Sequence, residues 1–550
     1  MDTTPAQRAL SRREILKLGG SGLAIGAIGL PLQGVPAQAQ TPKRGGTFRI
    51  RGEDPVHFDP HQTQAFRTMT NLSFAYSRLV KVKAGSAVAP NTAPIEGDLA
   101  ESWTRPNDTT YVFKLRKGVR FHNKPPVNGR ELTADDVKWT YERFLTLPGN
   151  PNRGALEAID RIEALDKYTV KFTLKEPFAW FVDMLASTSM WILAKEVGEK
   201  LGDFRRPESC IGTGPWMLER YEPNVRLTFV RHPDYFVPGL PHVDTVEVGI
   251  DNDVGSRTAA WLAGAYDFAP EFGQVVRRLD LDVARKRKPA LQTREHLPVF
   301  GGIGWMKIEK PPFNDVRVRR ALARAYNGQE ILDAGAWSLG KGAHNPAIPA
   351  ALKEWSIPID QLTRDGRDMY EYDPKAARKL LADAGLGSGF KATVETTAGY
   401  GADWMDAVEI TLKNWKGAGV DGELKLKEYG AFISSTIFGR FDLLAIGLFG
   451  AWADADSYLY RLYMPGQMTN AAPVNDSRLT EMIRLQRKTF DVAKRRDLLW
   501  DIQRYCAQQA YYNYGVTPSA VSAWEPYVKN FGPNIGFDYG GRLMVAWIDK

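Results

Sequence analysis

Apolar and polar residues alternate over short runs between residues 210 and 250, a pattern that predicts strands. The three runs are Trp216–Tyr221, Arg226–Val230 and Val243–Ile250, and turn-forming residues separate them. Gly212 and Gly214 come directly before the first run and allow a corner that bulkier residues could not follow. Local patterning therefore predicts a β-rich crossover here.

Predicted strands and helices alternate in the later part of the chain. Asp373 and Pro374 predict the start of a helix that ends at Gly385. The elements predicted after it are a strand at Lys391–Thr397, a helix at Ala402–Lys416, a strand at Glu423–Tyr429, a short helix near Phe432–Phe438 and a buried strand at Asp442–Leu448. This alternation is typical of a parallel α/β sheet, in which ligands bind beyond the carboxyl ends of the strands.

Two loops at that end of the predicted sheet supply candidate ligand-binding residues. Tyr400 and Trp452 have small neighbours, which leave room for a solute to stack on the rings. Asp454 and Asp456 add carboxylates to the second loop. Trp305 follows a glycine-rich run and is interpreted either as a cleft contact or as a core or hinge tryptophan. Core packing is the alternative for Trp452 as well.

Composition excludes several classes of partner and chemistry. The chain has a formal net charge of +8, and its densest basic run, 285–288, is short and isolated, so we expect no nucleic-acid partner. Cys210 and Cys506 allow at most one disulfide and are expected to be free and buried. We find no catalytic motif and no cluster of metal ligands, and we predict a non-enzyme without cofactor or metal. A secreted polysaccharide hydrolase or lyase is the alternative from another class.

Residues 1–39 predict an export signal. Arg12 and Arg13 precede an apolar, glycine-rich run at Leu18–Leu32, and Ala37 and Ala39 form a cleavage site. The paired arginines resemble a twin-arginine signal, whereas an ordinary secretory signal would use them only as a basic segment. We expect cleavage after Ala39 and a periplasmic location.

Two longer segments resemble signatures of one protein family. Residues 210–244 begin CIGTGPWMLERYEP, and residues 99–144 contain LAESW, YVFKLRKGVRFH and LTADDVKWTYERF. Both resemble the family 5 extracellular solute-binding proteins of peptide/nickel-type ABC importers, which include dipeptide- and oligopeptide-binding proteins. Similar segments run from Gly45 to about Asn534.

The resemblance implies a fold class and a division of the chain. The fold would be α/β, the two-lobed periplasmic binding protein fold (type II, cluster C) with an extra subdomain in the first lobe. The implied parts are lobe I at 40–300 with an inserted subdomain at about 86–205, lobe II at 301–510, and a return to lobe I at 511–550.

The resemblance also implies a function. The protein would be a monomeric periplasmic receptor that captures a peptide or peptide-like solute between its lobes and delivers it to a membrane permease with ATPase subunits. Oligosaccharides, opines and nickel chelates are the other ligand classes of the family. In the family, a Trp and an Asp of the loop at 449–456 contact the ligand, and in peptide binders the Asp pairs with the terminal ammonium. One register places Trp452 and Asp454 there, and another places Ala451 at the aspartate position.

Overall fold

The computed structural model describes residues 41–269, 276, 278–334, 340–450, 454–533 and 538–550. The predicted signal with Arg12 and Arg13, its cleavage site and Trp452 lie outside these residues. Within them, every helix is too short or too polar to cross a membrane.

The part of the chain before residue 300 forms two four-stranded sheets and a pair of short strands. Its strands are β1 (Thr47–Gly52), β2 (Val80–Val82), β3 (Ile95–Gly97), β4 (Ala100–Asn107), β5 (Thr110–Leu115), β6 (Ile159–Asp166), β7 (Thr169–Leu174), β8 (Trp216–Glu222), β9 (Arg226–Arg231), β10 (Thr245–Ile250) and β11 (Gln292–His296). Its helices are α1 (Phe66–Leu72), α2 (Ala134–Thr146), α3 (Phe181–Leu185), α4 (Lys195–Leu201), α5 (Val254–Leu262) and α6 (Arg278–Arg287).

The remainder of the chain is richer in helix. Its strands are β12 (Phe300–Met306), β13 (Gly342–His344), β14 (Phe390–Thr396), β15 (Val420–Leu426), β16 (Leu444–Gly450), β17 (Tyr512–Tyr514), β18 (Val516–Pro518), β19 (Ala520–Trp524), β20 (Val528–Lys529) and β21 (Trp547–Ile548). Its helices are α7 (Val316–Arg324), α8 (Gly328–Asp333), α9 (Arg364–Arg367), α10 (Pro374–Asp383), α11 (Ala402–Ala418), α12 (Tyr429–Ser435), α13 (Asp456–Tyr463), α14 (Ser477–Lys488), α15 (Val492–Gln509) and α16 (Tyr539–Met544).

The first sheet has the order β1-β10-β9-β8 and confirms the three strands predicted between residues 210 and 250. The glycine corner before β8 packs directly on the chain at Ala75. A Cβ atom on Gly212 would lie 2.1 Å from the carbonyl oxygen of Ala75, and one on Gly214 would lie 2.4 Å from its carbonyl carbon. Gly214 N–H donates to that same oxygen at 2.9 Å. Close backbone approach therefore explains both glycines.

The second sheet, β4-β5-β7-β6, belongs to the predicted inserted subdomain. Helix α2 begins with a capping box. The Thr133 side chain accepts a bond from the backbone N–H of Asp136, and the Asp136 side chain accepts one from the backbone N–H of Thr133. Residues 176–183 of this predicted subdomain contact the later part of the chain, where Ala179 N–H donates to Arg487 O at 2.8 Å.

The third sheet has the order β15-β14-β16-β12-β17 and is only partly parallel. β14 runs parallel to β15 and β16, as the alternation predicts, but β12 is antiparallel to both β16 and β17. β15 ends at Leu426, earlier than predicted, because the Glu428 side chain accepts a bond from Ala431 N–H at 2.9 Å and begins α12.

The lobe boundaries stay predictions. They can be compared with the sheets to which the strands near them belong. β12 begins at Phe300, and β17 keeps the chain in the third sheet as far as Tyr514. After that, β19 pairs with β11. Cys210 and Cys506 are both free and buried, as expected.

We predict that Gly214→Ala lowers the free energy of unfolding by about 1–3 kcal/mol, because the added methyl group overlaps the backbone at Ala75. Gly417→Ala is the matched control. Gly417 is exposed on α11 with open space where its Cβ would lie, so alanine there should raise stability by up to about 1 kcal/mol. Denaturant unfolding measures both, and an unchanged midpoint for Gly214→Ala would contradict the packing explanation.

Candidate functional site

A small cavity of about 40 Å³ lies between the part of the chain before residue 200 and the third sheet. Both parts contribute to its wall. The lining residues are Gln64, Phe66, Met69 and Asn152 from the first, and Tyr400, Tyr429, Ile433, Ile437, Leu448, Phe449, Gly450 and Arg461 from the second. A volume of this size holds a few water molecules, so a larger solute would enter only if the two sides of the wall moved apart.

The polar side of the cavity comes from the segment before α1 and the turn after α2. Gln64 Nε2 donates to Pro151 O and to Asn152 Oδ1, both at 3.1 Å. Asn152 Nδ2 donates to Thr63 O at 3.0 Å. These bonds fix two amide side chains against each other, so this side of the wall is rigid and electrically neutral.

The opposite side is aromatic. Tyr400 follows β14 and packs edge-on against Tyr429, with ring centroids 5.6 Å apart. Tyr429 in turn lies under the guanidinium of Arg67 on α1, whose Cζ is 3.9 Å from the ring centroid. Burial raises the pKa of Tyr429 to about 12, so its hydroxyl is neutral at physiological pH. The Arg67–Tyr429 contact also joins the two walls of the cavity.

Arg461 on α13 is the charged residue of the cavity wall, and sequence reasoning missed it. Its side chain is buried, with 5% of the residue exposed. Its Nε has no hydrogen-bond partner among the described residues. Burial lowers the pKa of Arg461 to about 10, which leaves the guanidinium charged at neutral pH. The signal available in the sequence is a single arginine within the apolar and aromatic run of α13, all of which is buried.

Burying Arg461 has an energetic cost, and one contact offsets part of it. Removing an ion from water costs several kcal/mol even after the protein relaxes. The guanidinium lies 5.4 Å from the ring centroid of Phe449, and a desolvated cation–π contact contributes about 2 kcal/mol. Among the described residues, the buried Nε finds no hydrogen-bond partner.

The structure gives Asp454 a partner within the protein. Its Oδ2 and Oδ1 accept bonds from Arg495 Nη1 and Nη2, each at 2.8 Å, and Oδ1 also accepts from Asp456 N–H. Asp454 and Arg495 are both buried. The guanidinium of Arg495 lies 4.2 Å from the ring centroid of Trp180, in the predicted subdomain. Ligand binding by Asp454 stays a prediction, and in this conformation both oxygens are already occupied.

Asp456 is engaged in the same way. Its carboxylate accepts bonds from Gln486 Nε2 at 2.6 Å and Arg487 Nε at 3.0 Å. Burial raises the pKa of Asp456, and the charge of Arg487 opposes that shift. The Arg487 guanidinium lies 4.1 Å from the ring centroid of Phe178. Through Arg487, Asp456 therefore supports the contact with residues 176–183. It is not one of the residues that line the cavity.

Among the other predicted site residues that the structure describes, Tyr400 lines this cavity and Trp305 does not. Trp305 on β12 is fully buried in the core of the third sheet and packs near Phe432, with ring centroids 6.4 Å apart. Its geometry agrees with the core interpretation. Trp452 lies outside the described residues, and its role as a stacking surface stays a prediction.

A further carboxylate lies close to the Asp454–Arg495 pair. Burial and, to a smaller extent, the charge of Asp454 raise the pKa of Asp183 on α3 to about 7, and Arg495 opposes the shift. Asp183 belongs to the predicted subdomain and Asp454 to the other side of the interface. The contact between the two parts of the molecule thus contains a carboxyl group that titrates near neutral pH.

Comparisons with known proteins agree with this architecture. The family model described as "Bacterial extracellular solute-binding proteins, family 5 Middle" matches residues 94–470. Di/tripeptide-binding protein 1 of Pseudomonas aeruginosa is 31% identical over 503 residues, which cover 85% of this chain and 87% of that protein.

Solved structures match the fold. The periplasmic binding protein DppA of Helicobacter pylori, in complex with peptide STSA, has a TM-score of 0.80 at 24% identity and covers 92% of this chain and 99% of its own. AgaA of A. tumefacien R10, in complex with agropinic acid, has a TM-score of 0.79 at 23% identity with the same coverage. The predicted two-lobed α/β fold is confirmed.

We predict that Asp454→Asn lowers the free energy of unfolding by about 3–5 kcal/mol, because it breaks a buried ion pair and leaves Arg495 uncompensated. The affinity of the folded fraction for its solute should change less than twofold. The double variant Asp454→Asn with Arg495→Met is the control and should recover part of the loss. Unchanged stability with a large loss of affinity would instead make Asp454 a ligand acceptor.

We predict that stability falls as pH rises from about 4 to 7, through the titration of Asp183. Between these values the folded protein keeps a proton that the unfolded chain has released, so raising the pH favours unfolding. Each unit of pKa shift corresponds to about 1.4 kcal/mol. Asp183→Asn should therefore melt at a higher temperature than the unsubstituted protein at pH 8, with little difference at pH 4. Exposed Asp160→Asn is the control, and equal pH slopes for Asp183→Asn and the unsubstituted protein would refute the assignment.

Proposed function

Because the chain belongs to the family 5 bacterial extracellular solute-binding proteins, we propose that it is the receptor of an ABC importer for a peptide or peptide-like solute. The family consists of binding proteins, in agreement with the prediction that the chain is not an enzyme. The observation that carries the proposal is the family match over residues 94–470, and the small cavity with aromatic rings and fixed amides in its wall supports it.

Several features support a short peptide over the other ligand classes. The cavity has neutral amide groups at Gln64 and Asn152 that can bond a peptide backbone, and rings at Tyr400 and Phe449 that can pack on side chains. A nickel chelate finds less support, because no group of three or more His, Cys, Asp or Glu side chains suited to a metal occurs among the described residues. Relatives named as di/tripeptide-binding proteins point in the same direction.

The proposal includes the finer expectations about export and assembly. The twin-arginine pair Arg12 and Arg13 would direct the folded protein to the periplasm, with cleavage after Ala39. There it would act as a monomer and deliver its solute to a permease with cytoplasmic ATPases. Trp452 would add a stacking surface to the loop between β16 and α13.

We predict that di- and tripeptides raise the melting temperature of the protein in a concentration-dependent way. A ligand that binds only the folded state stabilises it by about 2.7 kcal/mol at a hundredfold excess over the dissociation constant. Thermal-shift assays with peptide pools, beside pools of oligosaccharides and nickel chelates, measure this. Stabilisation by the oligosaccharide or nickel-chelate pool alone would show that the solute belongs to that class and is not a peptide. Steady formation of product from any of these compounds would support the enzyme alternative.

A further inference from the structure

We propose that residues 176–183 of the predicted inserted subdomain are a clamp that holds the solute site closed by docking on helices α13–α15. The inference rests on the proposed function, because a clamp matters only if the two sides of the cavity move apart to admit a solute. It assigns the contact that such a movement breaks, and the residues of this contact are not among those that line the cavity.

Trp180 is the centre of the contact. Its side chain packs against two separate hydrophobic cores, that of predicted lobe I with its subdomain and that around α13–α15. Its ring lies edge-on to Trp355, with ring centroids 5.1 Å apart, and the Cζ of Arg495 lies 4.2 Å from its ring centroid. One side chain of the clamp thereby joins the two cores.

The rest of the clamp docks on α14. Ala179 N–H donates to Arg487 O at 2.8 Å. The Cζ of Arg487 lies 4.1 Å from the ring centroid of Phe178. Glu176 and Lys488 form an ion pair at 2.8 Å. Successive residues of one segment therefore follow the end of α14, and the contact extends well beyond a single side chain.

Two contacts elsewhere in the predicted subdomain extend the same interface. Gln467 Nε2 donates to Glu157 Oε2 at 2.9 Å. The Cζ of Arg105 on β4 lies 3.7 Å from the ring centroid of Phe490, between α14 and α15. The subdomain as a whole thus rests on the helices that follow the third sheet, with the clamp as its most closely packed part.

The chemistry of the interface suits a contact that forms and breaks. Arg487 and Arg495 are paired with Asp456 and Asp454 on their own side, so separation leaves neither charge without a partner. The groups that cross the interface are guanidinium faces on rings, backbone and side-chain hydrogen bonds and a partly exposed ion pair. Such contacts are individually weak, whereas a large apolar interface would hold the two parts together permanently.

The first experiment measures the distance between the two parts without any solute. Spin labels at Asp160→Cys and Asp501→Cys, which are exposed positions on either side of the interface, report this distance by pulsed electron resonance. The native Cys210 and Cys506 are buried and stay unlabelled. Trp180→Ala should move the distance distribution to longer values, because it removes the side chain that joins the two cores.

Trp103→Ala is the matched control, because Trp103 stacks on Phe113 within the subdomain, with ring centroids 6.3 Å apart. It should lower the melting temperature and leave the distance unchanged. Lys488→Glu, which places two acids opposite each other, should lengthen the distance, and the double variant Glu176→Lys with Lys488→Glu should restore it. A lower melting temperature of Trp180→Ala at an unchanged distance would overturn the clamp and make the contact permanent packing.

The second experiment links the clamp to solute binding. Hydrogen exchange of the Ala179 amide reports the clamp directly, because this N–H donates to Arg487 O across the interface. Pools of di- and tripeptides should slow that exchange, although residues 176–183 do not line the cavity. Trp180→Ala should speed the dissociation of a bound peptide about tenfold.

Slower exchange confined to the residues of the cavity wall, with an unchanged dissociation rate in Trp180→Ala, would also overturn the clamp. If no peptide pool binds, the proposed function fails, whereas the distances measured without solute still decide for or against the clamp.

Discussion

Two buried carboxylates at the start of α13 are the constraint on which the site depends. Asp454 and Asp456 lie two residues apart and are both buried, where like charges repel more strongly than in water. Arg495 and Arg487 offset them, and Gln486 bonds both Asp456 and Arg495. This network fixes the start of α13, and therefore the direction in which α13 projects its side chains.

The same network reaches the segment 176–183 of the predicted inserted subdomain. Its arginines present their flat faces to Phe178 and Trp180, and Ala179 N–H donates to the Arg487 carbonyl at 2.8 Å. A guanidinium can bond a carboxylate at its edge and pack an aromatic ring on its face at the same time. The ion pairs at the start of α13 thereby create the surface on which this segment packs.

Much of the fold could be predicted from the sequence, because strand and helix periodicities are local. The antiparallel places of β12 and β17 in the third sheet could not, since they join segments about 200 residues apart. Among the site residues, Tyr400 could be predicted because its small neighbours indicate a loop. Arg461 could not be predicted, because the sequence of an aromatic helix shows neither which face is buried nor whether its arginine has a partner. The roles of Asp454 and Asp456 depend on arginines from α14 and α15, which spacing along the chain does not reveal.

Different physical requirements act on the segments that identify the family and on the residues that contact the solute. Gly212 and Gly214 are fixed by backbone contact with Ala75, a requirement of packing that any member of the fold must meet whatever it binds. The cavity wall has no such requirement, because its residues need only enclose a volume. Which of its side chains contact a solute does not follow from the packing that the fold requires. Family membership can therefore be read from packing signatures, whereas the ligand depends on the side chains that line the site.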